Sequence, residues 1–204
     1  MRPVDKWRQI PRPVKDFLWK GTVLFIAWKI LYLAFLLPSR LVDRPLTHLI
    51  AAGTVRTLHI VAPSSVYPYS MVSGVDTLIT RNGTILKDEV EWIYRGPFKT
   101  LSIADVCNGL ELMVLYAGFL LCWPAGSVRK IKFIAGGFLL IVLLNILRCA
   151  ALALISVHKP QYVDFYHHYL FTFLIYGCIF LLWYLFTLDP VVSQKRLQHV
   201  PTGK

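Results

Sequence analysis

The chain has 204 residues, of which 56% are hydrophobic and only 16% are charged. A soluble domain of this length would leave too much apolar surface in water, so the composition predicts a polytopic membrane protein with one membrane domain. The formal net charge of +11 does not indicate nucleic-acid binding, because cytoplasmic segments of membrane proteins collect Lys and Arg and no segment interleaves basic with aromatic residues on a soluble face.

The first predicted elements are a basic cytoplasmic arm, residues 1–16, and a spanning helix from about Phe17 to Leu37. A helix of about 20 apolar residues crosses ~30 Å of hydrocarbon. The leader is long and no A-x-A cleavage site follows, so we predict an uncleaved span and not a signal peptide. Lys29, near the middle of this span, either snorkels, pairs with an acid or faces the helix bundle.

A less apolar region follows the first span. Residues 45–62 contain His48, Arg56 and His59 among apolar residues, which predicts an interfacial or half-buried helix. The polar stretch 63–106 is expected to be an ordered loop.

Within this loop, apolar residues alternate around Asn82-Gly83, which is a strong β-hairpin signal. Asn82-Gly83-Thr84 also matches a glycosylation sequon, and we interpret it as the hairpin turn.

Three further spans are predicted, from near Cys107 to Trp123, from about Phe133 to Val157 and from about Tyr169 to Leu188. The fold class is therefore an all-α polytopic membrane protein with about four transmembrane helices, an interfacial helix and an extracytoplasmic β-hairpin loop. The membrane domain is expected to cover residues 17–190, including the loop 38–106, and residues 191–204 to form a cytoplasmic tail.

The distribution of Lys and Arg among the loops predicts the membrane topology. The N-terminal segment up to Lys20, the 124–132 loop and the C-terminal tail carry twelve Lys and Arg residues in short segments, so both termini should be cytoplasmic and the long loop should face outward. Cys107 and His167 then lie at outer ends of their spans. Arg148 lies about 22 Å above the inner edge of its span at ~1.5 Å per residue, which also places it toward the outer leaflet.

Cys107 lies between polar neighbours, Asp105 and Asn108, where a helix is predicted to begin. A nucleophilic cysteine reacts as a thiolate, which a helix N-terminus or a nearby cation stabilises. The alternative is a small buried hydrophobe, which is our interpretation of Cys122, Cys149 and Cys178. No two cysteines form a C-x-x-C pair, so we expect no zinc site or redox dithiol.

Arg148 and Asn145 are three residues apart and share one helical face, which gives an apolar span a polar patch. Such a patch is suited to an oxyanion or a substrate carboxylate, because charge inside a membrane is costly and usually functional. The alternative is a structural ion pair between Arg148 and Glu111.

His167 carries an imidazole that can accept a thiol proton and return it to a leaving amine. The adjacent His168 competes for this role. The alternative is a pair of interfacial histidines in a belt with Tyr162, Tyr166 and Tyr169. A metal site formed by the two histidines is disfavoured, because adjacent helical residues point about 100° apart.

Three runs together resemble the exosortase/archaeosortase family: Cys107-Asn108-Gly109-Leu110, Asn145-Ile146-Leu147-Arg148 and Tyr166-His167-His168. The resemblance implies a membrane cysteine peptidase or transpeptidase that cuts a C-terminal sorting signal at the outer membrane face. It assigns Cys107 as nucleophile, Arg148 as transition-state stabiliser and His167 as acid/base, with Asn145 in support. Three positions depart from the family pattern and are expected to bind substrate or support the site: Asn108, Glu111 and His168.

The resemblance also implies partners and location. These are a membrane-protein substrate with a C-terminal sorting helix, the lipid bilayer, no nucleic acid, no cofactor, and the inner (plasma) membrane of a bacterium. Two alternatives stay open from the residues themselves: a non-enzymatic scaffold for envelope or exopolysaccharide export, and a small transporter with Arg148 and Lys29 along its pathway. Lys29 favours transport, and the order of Cys, Arg and His favours an enzyme.

Overall fold

A computed structural model of the chain describes residues 12–36, 39–79 and 85–188. Most of these residues are helical, and a small antiparallel sheet follows the second helix. The basic arm up to residue 11 and the tail from residue 189 lie outside the described residues. The helices, in chain order, are α1 (Arg12–Leu31, continued by a π-helical turn, Tyr32–Leu36), α2 (Asp43–Val61), α3 (Leu110–Cys122), α4 (Ser127–His158) and α5 (Pro160–Thr187).

Three helices in the described part of the chain are long and apolar enough to cross a membrane: Val14–Phe35 within the first helical run, α4 and α5. The second predicted span, from near Cys107 to Trp123, corresponds to α3, which is apolar but has only 13 residues. At ~1.5 Å per residue it is about 20 Å long, less than the ~30 Å of hydrocarbon. Where the sequence predicts about four spans, the described residues thus contain three helices of spanning length and one short apolar helix that ends before Pro124.

The predicted interfacial or half-buried helix corresponds to α2. Its buried residues recur at helical spacing and form one face: Asp43, Thr47, Ile50, Ala51, Thr54 and Leu58. This face packs against α4 and the sheet, in a core that includes Ile93, Cys149 and Ala153. Because Leu49 and Ile60 on the other side are exposed, α2 is half-buried.

The sheet contains the predicted hairpin and one strand more. Strand β1 (Tyr69–Ile79) pairs antiparallel with β2 (Ile85–Arg95), and Ile79 lies opposite Ile85. The predicted turn at Asn82-Gly83 falls outside the described residues. Strand β3 (Phe98–Ala104) then pairs with β2, so the all-α fold class is corrected to a mostly helical fold with a three-stranded sheet.

The sequence does not predict strand β3, because β3 lacks a clear pattern of alternating apolar residues. Only Ile103 within it is fully buried, and Lys99, Thr100 and Ser102 give it a polar composition. Pairing with β2, and not an amphipathic pattern of its own, determines its conformation.

Polar contacts cross the middle strand and join the two outer strands. The Ser102 hydroxyl on β3 donates to Asp76 Oδ2 on β1 at 2.9 Å, and Lys99 donates to Asp76 Oδ1 at 3.4 Å. The hydrogen bond from Ser102, together with the charge of Lys99, lowers the pKa of Asp76 below its ordinary value, because both favour the ionised carboxylate.

A second core lies between α3, α4 and α5, and its buried members include Tyr116, Leu120, Ile141 and Ile179. Tyr116 is completely buried, and its hydroxyl donates to the Phe133 carbonyl at 2.8 Å. Gly137 on α4 makes room for this ring, because a Cβ there would overlap the ring of Tyr116. The short α3 is thereby held tightly against α4.

We expect Gly137→Ala to destabilise the protein, because overpacking of a tight core costs about 1–3 kcal/mol. Gly136→Ala is the matched control, since a Cβ at Gly136 meets nothing within 4 Å and alanine favours a helix over glycine by up to ~1 kcal/mol. Thermal unfolding in detergent micelles measures both variants. Equal midpoints for the two variants would contradict this packing of Tyr116.

Candidate active site

Cys107 lies in a 3-10 turn, Asp105–Cys107, that joins strand β3 directly to α3. The chain changes direction at Gly109, whose φ of +81° lies in the left-handed region that favours glycine. A Cβ at Gly109 would also overlap the amide of Asn145. The helix begins at Leu110, three residues later than predicted, so Cys107 precedes the helix.

The three residues predicted as catalytic lie together. Cys107 from the turn, Arg148 from α4 and His167 from α5 line one cavity of about 140 Å³. Strand β3 forms a further wall of this cavity through Leu101, Ser102 and Ile103. The sheet therefore lies at the same end of the helices as the site.

Cys107 and His167 lie next to each other in the cavity. The distance from Cys107 Sγ to His167 Nε2 is 4.0 Å, and the tautomer of the ring decides which atom donates. This is a long contact, and catalytic hydrogen bonds are often long before substrate binds. A thiol beside an imidazole can form the thiolate that attacks carbonyl carbon.

The structure distinguishes the two neighbouring histidines. Both belong to a π-helical segment of α5, Tyr166–Leu170, and π-helical turns occur frequently at functional sites. His167 is partly buried and lines the cavity, whereas His168 is exposed and lies edge-on to the His167 ring, with centroids 4.7 Å apart. The geometry favours His167 as the partner of Cys107.

Arg148 presents hydrogen-bond donors to the same cavity. Its buried Nε has no hydrogen-bond partner among residues 12–36, 39–79 and 85–188. Buried donors are normally satisfied, so this one is suited to an oxygen of a bound molecule. A guanidinium also stabilises developing negative charge.

The alternative ion pair between Arg148 and Glu111 is not what the structure shows. Glu111 Oε1 accepts a hydrogen bond from Lys29 Nζ at 2.9 Å, in an ion pair between α3 and α1. Lys29 therefore pairs with an acid, which is one of the three possibilities that the sequence leaves open. Within the described ranges, no group of three or more His, Cys, Asp or Glu side chains is arranged to hold a metal ion.

A buried polar cluster fixes the turn that carries Cys107. Asn108 is 1% exposed, and its Nδ2 donates to Asp43 Oδ1 on α2 at 2.9 Å. Its Oδ1 accepts from the Leu110 backbone N–H at 2.8 Å. Thr47, also on α2, donates to Asp105 Oδ1 at 2.7 Å. Both ends of the turn are thus attached to α2.

Asn145 completes this cluster from α4. It is 2% exposed, and its Nδ2 donates to the Asn108 carbonyl at 3.3 Å. Its position agrees with a supporting role, since it holds the backbone beside Cys107. Asp43 and Thr47 are absent from the sequence-based site, because the only sequence signal for Asp43 is an acid in the first turn of a helix.

Asp164 is another residue of the cavity that sequence analysis does not single out. It precedes His167 by three residues and lines the same cavity. A carboxylate in this position can orient an imidazole.

These features define a helical membrane protein with a cysteine–histidine pair and an arginine at one end of its helices. The family model for transmembrane exosortases matches residues 17–185, most of the chain, and includes every residue of the site. The chain therefore belongs to the transmembrane exosortase family. No curated protein and no solved structure gives a match.

We expect Asp43→Ala to destabilise the protein by about 1–3 kcal/mol, because it removes the nearest acceptor of the buried Asn108 amide and leaves only the 3.4 Å contacts with the Asp43 carbonyl and Thr47 Oγ1. Asp43→Asn is the matched control, since its side-chain oxygen can still accept that hydrogen bond. The two variants are compared by their unfolding midpoints in detergent and by the alkylation rate of Cys107, measured by peptide mass spectrometry. An alanine variant as stable as the asparagine variant would contradict the role of this contact.

Proposed function

We propose that this exosortase-family protein is a cysteine peptidase or transpeptidase that cleaves C-terminal sorting signals of exported membrane proteins. The observation that carries the proposal is the Cys107–His167 contact of 4.0 Å, with Arg148 on the wall of the same cavity. The match to the transmembrane exosortase family supports it.

The first step forms the nucleophile. His167 Nε2 takes the proton of the Cys107 thiol, and the thiolate attacks the carbonyl carbon of the scissile peptide bond. The carbonyl oxygen gains negative charge in the tetrahedral intermediate. Arg148 stabilises that oxygen through its guanidinium N–H groups.

The second step breaks the peptide bond. The protonated His167 gives its proton to the leaving amine as the C–N bond breaks, which leaves a thioester on Cys107. Water or another amine then attacks the thioester and restores the thiol. Hydrolysis releases the protein, whereas attack by an amine attaches it to an acceptor.

The proposed reaction takes place at the outer leaflet. The distribution of Lys and Arg favours cytoplasmic termini and an outward-facing loop region, which contains the three strands. Because β3 forms a wall of the cavity, the cavity lies on the same side of the membrane as the sheet. This supports processing after the substrate has crossed the inner membrane.

The transporter alternative places Arg148 and Lys29 along a pathway. The ion pair between Lys29 and Glu111 at 2.9 Å gives Lys29 a structural role, which favours the enzyme over the transporter. A non-enzymatic scaffold differs from the proposal in requiring no thiol chemistry, so the two are separated by substitution of the nucleophile.

Cys107→Ala is expected to reduce processing by more than about 10³-fold while the protein still folds, because the thiol is the nucleophile. Cys178→Ala is the control, since Cys178 lines neither cavity of the site. Mass spectrometry of the C-termini of membrane and surface proteins, from cells with each variant, measures processing. Normal processing by Cys107→Ala would exclude the mechanism and favour a scaffold.

His167→Ala is expected to lower the processing rate by about 10²–10⁴-fold, the usual contribution of a general acid–base residue. His168→Ala should retain most activity, since its ring is exposed and lies outside the cavity. Processing rates of the two variants, with thermal midpoints as the control for folding, test this assignment. A larger loss in the His168 variant would reverse it.

A further inference from the structure

A second, larger cavity begins at the catalytic residues. This cleft has a volume of about 740 Å³ and lies between α1, α3 and α5. Cys107 and Arg148 line both this cleft and the 140 Å³ cavity. A molecule in the cleft therefore has direct access to the nucleophile and the proposed oxyanion-stabilising residue.

The wall of the cleft changes character along α3. Near Cys107 the lining is charged and polar, with Arg40, Asp43, Asp105 and Glu111. Farther along α3 it is formed by Val114, Leu115, Gly118, Phe119 and Cys122, opposite Leu24 of α1 and Trp183 of α5. An occupant thus has a polar part at the nucleophile and an apolar part of about 12 Å along α3, the length of the stretch from Val114 to Cys122 at ~1.5 Å per residue.

Two glycines line the apolar part of the cleft. They are Gly21 on α1 and Gly118 on α3, but Gly118 packs against Leu24 of α1, whose Cδ2 would lie 3.0 Å from an added Cβ. Small residues such as Gly21 let the backbone of a neighbouring helix come near. A Cβ added at Gly21 would meet nothing within 4 Å, so the space beside it is open.

The charges in the middle of the cleft are already paired. Lys29 and Glu111 form their ion pair between α1 and α3, one turn from Cys107 along the chain. Beyond this pair, the lining residues of α3 carry no charge. Because unpaired charge is costly in hydrocarbon, the cleft favours an uncharged apolar segment at this depth.

We propose that the cleft receives the spanning helix of the protein substrate, which lies along α3 with its polar end at Cys107. This inference rests on the proposed function and adds the location of the substrate helix. A helix satisfies its own backbone hydrogen bonds, which an apolar wall requires, and a peptide supplies the carbonyl and the leaving amine. A lipid with its headgroup at Cys107 has similar polarity and is an alternative outcome of the test.

Gly21→Leu places a larger side chain in the cleft, at a position where an added Cβ meets nothing within 4 Å. It is expected to lower Cys107-dependent processing of membrane proteins at least about tenfold, the loss expected from a side-chain clash at a packed interface. Alkylation of Cys107 by iodoacetamide should keep its rate, since this small reagent needs no helix site. Gly136→Leu is the control, because a Cβ there also meets nothing within 4 Å and Gly136 does not line the cleft.

Wild-type processing by Gly21→Leu, in cells where Cys107→Ala abolishes processing, would overturn the cleft assignment and leave the proposed function intact. Normal processing by Cys107→Ala would instead overturn the function, and the cleft assignment with it. A lower alkylation rate in Gly21→Leu than in Gly136→Leu would overturn the assignment, because it would show a disturbed site.

A photo-reactive side chain separates a peptide from a lipid. Placed at Leu115, which lines the cleft, in the Cys107→Ala background, it should crosslink to a membrane protein whose processing depends on Cys107. The same group at Leu139, exposed on α4 and outside the cleft, is the control. Crosslinks to lipid alone at Leu115, or equal protein crosslinks at both positions, would overturn the inference.

Discussion

The site depends on the buried hydrogen bonds around Asn108. This side chain is almost completely inaccessible, yet it is bonded to Asp43 on α2, and its backbone carbonyl accepts from Asn145 on α4. Unsatisfied polar groups at such a position are costly, so the contacts form together or the turn cannot pack. Because Cys107 immediately precedes Asn108, the same bonds fix the thiol relative to two helices.

The other parts of the site are positioned by elements that meet this turn. Strand β3 leads into it and forms a wall of the cavity, which gives the small sheet a direct structural part in the site. The π-helical segment of α5 carries His167 toward the thiol and leaves His168 exposed. Arg148 lies on α4 three residues after Asn145, so the helix that supports the turn also supplies the guanidinium.

The short helix α3 links the chemistry to the membrane. It has 13 residues, fewer than the roughly 20 that a spanning helix needs, and it lines the cleft that leads to Cys107 along its whole length. The ion pair between Lys29 and Glu111 neutralises two of the charges that line that cleft. The proposed peptidase thus has an apolar site for a helix and a polar site for a peptide bond in one continuous space.

The sequence by itself predicted the membrane class, the half-buried helix, the paired hairpin strands and the three side chains that line one cavity. These features follow from local composition, from the spacing of apolar residues and from short motifs. The site residues stand out because ionisable side chains are rare in membrane spans and are usually functional there. Only the tertiary structure decided the third strand, the length of α3, the Lys29–Glu111 pair and the contacts of Asp43 and Thr47. Each of these depends on partners distant in the chain: β3 needs β2, and Asp43 meets Asn108 across 65 positions. Local sequence patterns carry no information about such pairs, because the free energy of each interaction arises only when folding brings the two groups together.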